Sequence, residues 1–253
     1  MTVNVLFAAQ DDRWPQYEEP LRSAMAEVGV DAHLATNIPA DQVDYIVYAP
    51  NSDLQDFAPY TQAKAVLNLW AGVEAIVGNP TLHLPLARMV DEGLTQGMIE
   101  WVTGHILRLH LGMDAHFNAA PGTWDPVPPP LAFDARVTIL GIGELGAACA
   151  TALSRFGFDV AGWSRSPKQI EGITCYSGSD GLDAALQRAD FCVLLLPSTE
   201  QTENTLNVRT LALMPKGARI LNPGRGPLID DDALLAALDA GQIGHATLDV
   251  FRI

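Results

Sequence analysis

Hydrophobic residues along this chain recur in two rhythms. Short apolar runs, VNVLFAA from residue 3, DAHLA from 31, DYIVYAP from 44, KAVLNLW from 64 and LPLARMV from 84, read as strands. Between them PQYEEPLRSAMAEVG keeps its apolar positions at helical spacing. Strands and helices in alternation predict a largely parallel α/β sheet over residues 1–95. Residues 94–117, LTQGMIEWVTGHILRLHLGMDAHF, then hold the helical rhythm for about six turns, until NAAPGTWDPVPPP breaks it with prolines and a glycine. A long helix and a stiff connector separate the domains. The strand rhythm resumes in ARVTILGIG, DVAGWS, DFCVLLLP, ARILNPG and HATLDVF, with helical ELGAACATALSRFG and DDDALLAALDAG among them. Residues 96–253 thus form a second α/β domain.

Composition narrows the function. The 253 residues are 48% hydrophobic and 18% charged, enough to bury a sizeable core. Thirty acidic against fifteen basic residues give a formal charge of −15, which repels nucleic acid and anionic membrane alike. Cys149, Cys175 and Cys192 lack metal-site spacing, so no metal centre is expected. The N-terminus carries no basic-then-apolar leader, and no apolar run approaches the roughly 18 residues of a membrane span. A cytoplasmic protein with reduced thiols is expected.

Chemistry enters with TILGIGELG. Gly141, Gly143 and Gly146 follow a strand and open a helix in the G-x-G-x-x-G pattern, with Glu144 and Leu145 between them. Glycines permit the tight turn and the approach of backbone to a pyrophosphate, and the helix start offers unpaired amides. Dinucleotide binding follows. The next strand ends in Trp163-Ser164-Arg165-Ser166, with Lys168 behind, where a carboxylate would otherwise bind a free ribose hydroxyl. Arg165 suits a 2′-phosphate, with Ser164 and Ser166 as further donors, so NADP is expected and NAD remains possible. The alternative for Arg165 is a solvated surface arginine.

In order, NLWAGVE, GIGELG, WSRS, LLLPSTEQTENTLN, LNPGRGPLIDDDALLAALDAGQI and TLDVF resemble the D-isomer-specific 2-hydroxyacid dehydrogenases, most closely their NADPH-preferring glyoxylate/hydroxypyruvate reductase branch. The resemblance covers essentially the whole chain. It implies two doubly wound domains, a flavodoxin-like substrate domain and a Rossmann dinucleotide-binding domain, and hydride transfer to a small 2-oxo acid. It also implies that Arg225 grips the substrate carboxylate and carbonyl, a task for which a planar guanidinium is suited. Taken alone, Arg225 could equally cap a helix or pair with an acid. Trp70, Ala71 and Gly72 match the loop whose amides bind the carboxylate, where Trp70 either narrows the pocket or packs. Leu196, Pro197 and Ser198 resemble the adenosine-side wall, Asp249 resembles the acid near the nicotinamide, and Glu144, Leu145, Thr202, Pro223 and Gly224 are further cofactor-binding residues on this resemblance. Met98 falls at a nicotinamide contact, though a methionine on a long helix also suits a core. The resemblance further implies a homodimer.

The family's proton donor is a histidine paired with a glutamate, both expected after the D-V-F stretch. The chain stops at Ile253 before either, so an incomplete copy is expected, lacking a last strand and a C-terminal helix. His33, His83, His105, His110 and His116 read as surface or core residues. His245 precedes the last strand, at the end away from the cofactor. A different class stays open: a dinucleotide-binding sensor or scaffold without chemistry.

Overall fold

The computed structural model describes residues 2–124 and 126–252. The chain divides into two compact units, Met1–Asp91 and Glu92–Ile253, each built on one parallel sheet.

The first unit runs β1 (Val3–Ala8), α1 (Trp14–Glu27), β2 (Ala32–Ala35), β3 (Tyr45–Tyr48), β4 (Ala65–Asn68), α2 (Glu74–Val77) and β5 (Leu86–Ala87). Its strand order, β2-β1-β3-β4-β5, is the flavodoxin-like order. Successive residues of β1 face opposite ways: Val5 and Phe7 pack with Leu34 and Val47, while Leu6 packs with Ile46, Tyr48, Val66 and Ile76. Apolar residues therefore cover both faces of the sheet. Helices are scarcer than the rhythm suggested. Residues 49–64 join β3 to β4 through turns, because Asn51, Ser52, Asp53, Asp56 and Pro59 favour turns over a helical stripe. The expected strand LPLARMV shrinks to Leu86–Ala87, since Pro85 has no N–H and joins the ladder only by accepting from Val66 (2.9 Å).

The second unit runs α3 (Glu92–His110), α4 (Met113–Phe117), β6 (Arg136–Leu140), α5 (Glu144–Arg155), β7 (Asp159–Ser164), β8 (Thr174–Ser177), α6 (Gly178–Gln187), β9 (Phe191–Leu194), α7 (Val208–Leu213), β10 (Ala218–Asn222), α8 (Asp231–Asp239) and β11 (Ile243–Leu248). The boundary drawn after residue 95 falls inside α3. The single helix expected over 94–117 is two, because Gly112 turns left-handed (φ 64°) between α3 and α4. Order β11-β10-β9-β6-β7-β8 is the Rossmann order 3-2-1-4-5-6 when strands are counted within the unit.

Val137 and Ile139 of β6 meet Val102 and Ile106 of α3 and Cys149 and Leu153 of α5 on one face. Leu140, Cys192 and Leu194 meet residues of α6, α7 and α8 on the other. Each fully buried aliphatic side chain contributes about 1.5–3 kcal/mol, so this double cover fixes the sheet firmly. Burial pushes the thiols of Cys149 and Cys192 up to about 12, so both serve as small hydrophobes. At the amino-terminal edge Arg136 donates through Nε and Nη2 to Asp190 (3.0 and 2.8 Å), tying β6 to the approach of β9. Burial alone would raise the Asp190 carboxyl, but the Arg136 hydrogen bonds outweigh it and hold that carboxyl below its ordinary value.

Candidate active site

Because every strand pair of the second unit is parallel, the carboxyl ends of β6, β7, β9, β10 and β11 gather on one edge. Nearly all the residues assigned to the cofactor or substrate in this unit stand there. After β6, Gly141 takes a left-handed backbone (φ 101°) and donates to the Trp163 carbonyl (2.8 Å). A Cβ on it would sit 2.5 Å from the Leu195 carbonyl oxygen, so only glycine fits. Gly143 caps α5, and a Cβ there would meet nothing within 4 Å. Open space before the amides of a 12-residue helix is what a pyrophosphate needs. Gly146 does the reverse: its Cβ would strike the Gly141 carbonyl oxygen, so α5 lies against the loop.

At the end of β7 the Ser164 hydroxyl donates to the Ser166 carbonyl (2.7 Å), which curls the segment and leaves Arg165 exposed. Lys168 bends back, its Nζ donating to the Ile142 carbonyl within the glycine loop (2.9 Å). Beyond β9, Leu196 is buried, and the Thr202 hydroxyl donates to the Pro197 carbonyl (2.6 Å) while accepting from the Thr199 amide (2.9 Å). Thr202 thus knits the Pro197–Ser198 wall together. Glu144 opens α5 and Leu145 follows it. Met98 stands elsewhere, half-buried on α3 against the core cluster.

Beyond β10 the buried Asn222 builds the arginine turn: its Oδ1 accepts from the Gly224 amide (3.1 Å) and its Nδ2 donates to the Arg225 carbonyl (2.9 Å). Pro223 and Gly224 are buried, whereas Arg225 is half-buried and donates to the Gly224 carbonyl (2.8 Å). Asp249 follows β11 with an exposed side chain, its amide donating to the Asn222 carbonyl (3.1 Å). In the first unit Asn68, at the end of β4, plays a matching part. It is 5% exposed, and its Nδ2 donates to the carbonyls of Trp70 (2.7 Å) and Gly72 (2.9 Å). The Trp70–Gly72 loop is thereby curled, with Trp70 itself exposed. Sequence reasoning gave neither asparagine a role. The available signal was a lone amide ending an otherwise apolar strand, in AVLN and ARILN.

His245 lies within β11 rather than ahead of it, since the strand begins at Ile243. Three histidines of this unit have lowered pKa values. Burial is the leading cause for all three, followed by Arg108 for His105 and His245 and by Arg219 for His110. Asp249 and Asp114 partly offset the shift at His105, and the Pro130 backbone does so at His110. Below the unperturbed value of 6.5, the unfolded chain binds protons that the folded unit refuses. Stability is therefore full above that pH and is lost as pH falls toward the depressed folded values. The melting temperature should drop on acidification below pH 6.5, and His110→Phe, which keeps ring packing against Phe158 and Phe191, should flatten that slope in a melting series.

Among the described residues, no three His, Cys, Asp or Glu side chains could hold a metal ion, and no helix is long and apolar enough to cross a membrane. A Rossmann sheet with a glycine loop that is packed at Gly141 and Gly146 and open at Gly143 is the arrangement of a dinucleotide-binding domain. Residues 108–253 match the family described as D-isomer specific 2-hydroxyacid dehydrogenase, NAD binding domain. Glyoxylate/hydroxypyruvate reductase A of Yersinia enterocolitica is 37% identical over 221 residues, covering 84% of this chain and 69% of that protein. A D-isomer specific 2-hydroxyacid dehydrogenase from Xanthobacter autotrophicus, solved with NADPH and MES, superposes with a TM-score of 0.89 at 35% identity, covering 100% of this chain and 82% of that one. An NADPH-dependent glyoxylate/hydroxypyruvate reductase from Sinorhizobium meliloti, solved with NADP and sulfate, gives 0.78 at 34% identity, covering 100% and 81%. The chain belongs to the D-isomer specific 2-hydroxyacid dehydrogenase family, an enzyme family, and carries its NAD-binding domain.

Proposed function

We propose that this protein reduces a small 2-oxo acid of the glyoxylate or hydroxypyruvate type to the 2-hydroxy acid, with NADPH as the reductant. The observation that carries this reading is Arg165, exposed at the carboxyl end of β7 between two serines, beside a glycine loop open at Gly143. A guanidinium there favours a 2′-phosphate and offers a free ribose hydroxyl no acceptor. The two reductases above, one of which was solved with NADP, support the same choice.

The bound dinucleotide would supply the hydride to the carbonyl carbon, and the alkoxide so formed would take its proton from a general acid that is not among the residues assigned above. Gly141, Gly143 and Gly146 would hold its pyrophosphate at the α5 start, Arg165 with Ser164, Ser166 and Lys168 its 2′-phosphate, and Leu196–Ser198 its adenosine side. Glu144, Leu145, Thr202, Pro223 and Gly224 would shape those loops, and Met98 and Asp249 would serve the nicotinamide side. Arg225 would orient the acid by its carboxylate and stabilise the negative charge that grows on the carbonyl oxygen. The amides of Trp70, Ala71 and Gly72 would add donors to the carboxylate. On this reading the protein is a cytoplasmic homodimer.

Titration with NADPH and NADH at equal ionic strength tests the proposal. NADPH should bind at least about tenfold tighter, and Arg165→Ser should erase most of that margin, since a charge-assisted phosphate contact is worth about a factor of ten or more. Equal affinity for both cofactors in the unmodified protein would defeat it. Turnover with glyoxylate and hydroxypyruvate against a bulky aromatic 2-oxo acid then tests the substrate class.

A further inference from the structure

Three neighbouring parallel strands of the second sheet, β9, β10 and β11, release their chains at the same edge, and the segments that follow them meet at one side chain that none of the roles above uses. Arg252 lies four residues beyond the end of β11. It donates from Nη1 to Glu203 Oε1 (3.0 Å) and from Nη2 to Asn204 Oδ1 (2.6 Å), both in the connection after β9. The same Nη2 reaches the carbonyls of Ile229 (3.0 Å) and Pro227 (3.2 Å), in the connection after β10. A planar fork with several donors can bridge acceptors on two segments at once.

The backbone around it shows what the bridge holds. The two connections are paired to each other: the Asn204 amide donates to the Pro227 carbonyl (2.9 Å), the Leu206 amide to the Leu228 carbonyl (3.0 Å) and the Asp230 amide to the Leu206 carbonyl (2.8 Å). Arg252 closes this ribbon at its end nearest in sequence to Arg225. Gly226, directly after Arg225, is buried, and a Cβ on it would strike the Phe251 carbonyl group and the Arg252 amide nitrogen. The segment carrying Arg252 therefore rests on the arginine turn itself. Asn204 holds a left-handed backbone (φ 49°), alone among the described non-glycine residues, and such a conformation persists where its surroundings fix it. The exposed pair with Glu203 contributes little by itself; the contacts to Asn204 and the two carbonyls make the clamp.

We propose that Arg252 is a positioning residue for Arg225: by clamping the Gly226–Ile229 turn to the connection after β9, it fixes the direction in which Arg225 presents its guanidinium. This inference rests on the substrate role given to Arg225 above. Direction matters because a guanidinium grips a carboxylate bidentately only in one geometry, and a misplacement of about 1 Å can cost about a hundredfold in rate.

Arg252→Gln in the full chain tests it. Hydrogen exchange without ligand should quicken at the Asn204, Leu228 and Ile229 amides, while the amides of β6, β9 and β10 stay protected. KM for glyoxylate should rise and oxalate should bind the NADPH-loaded protein more weakly, each by about tenfold, with NADPH affinity held within a factor of about two. A merely structural part would shrink the active fraction, lowering kcat and leaving KM unmoved. In an Arg225→Leu background the same change should cost less than about twofold in kcat/KM, because the two residues act through one contact. Arg252→Lys keeps the charge without the fork and should recover only a small part of the loss; it carries the test should the Gln variant misfold. Unmoved KM and oxalate affinity, additive losses in the double variant, or full recovery by lysine would overturn the positioning role alone. A parent protein that neither binds oxalate nor turns over glyoxylate would overturn the proposed function and this role together.

Discussion

Gly146→Ala should lower the melting temperature of the Glu92–Ile253 unit by several degrees and remove dinucleotide binding at the same time. The added methyl would land on the Gly141 carbonyl oxygen, with the Gly141 carbonyl carbon only 3.0 Å away and Ile139 Cγ2 at 3.5 Å. The colliding atom is backbone, held by the Gly141 amide bond to Trp163 (2.8 Å), so it cannot swing aside. Helix α5 must lift from the sheet instead. Overpacking of this kind costs about 1–3 kcal/mol, equivalent to roughly 2–4 °C for each kcal/mol in a unit of this size. Gly143→Ala separates the two effects. Its φ of −72° suits alanine and its Cβ meets nothing within 4 Å, so stability should hold while NADPH affinity falls. Thermal melts and NADPH fluorescence titrations on both variants are the measurements. A Gly146→Ala protein that melts like the unmodified chain would show that the loop is not packed as described.

The second large effect should come from Arg225→Leu. If the guanidinium both orients the acid and stabilises the developing oxyanion, its loss should reduce kcat/KM for glyoxylate by about a thousandfold, at the upper end for removal of one oxyanion donor. Asn222 holds this turn through the Arg225 main-chain carbonyl (2.9 Å), so the turn should survive the side-chain change. NADPH affinity should stay within a factor of about two, as expected for a contact outside the cofactor's own hydrogen bonds. Arg225→Lys should recover only part of the loss, because an ammonium restores the charge without the fork. Oxalate binding to the NADPH-loaded protein gives a readout separate from turnover. Oxalate bound equally well by the Leu variant would remove Arg225 from the substrate site.

Much of this architecture was legible because local and global signals agree. The run FCVLLL, the alternation in ARVTIL and the three glycines each point to one structure, and the helical stripe of residues 144–155 packs where its pattern says. The first unit was less legible. Its β3-to-β4 connection carries no helix, since Asp, Asn, Ser and Pro side chains in that stretch supply turns instead. The break at Gly112 was hidden because a glycine inside an apolar helical rhythm can be tolerated or can end the helix, and only the backbone path decides. Asn68 and Asn222 stayed invisible for a similar reason. An asparagine at a strand end can face water or clamp the next loop, and the choice depends on where the following carbonyls and amides turn. Thr202 and Lys168 show the limit for side chains: both bond to neighbouring carbonyls, a pairing that residue type and spacing do not reveal.

The strand order also bears on how such a protein can change over generations. Arg165 follows β7 and Arg225 follows β10, with β6 and β9 between those strands in the sheet. Three steps of about 4.8 Å place those positions roughly 14 Å apart. Substitutions that far apart usually combine additively. If Arg165 and Arg225 have the roles proposed above, a lineage could exchange one electron currency for another through mutations after β7, while the grip on the acid after β10 drifts under its own selection.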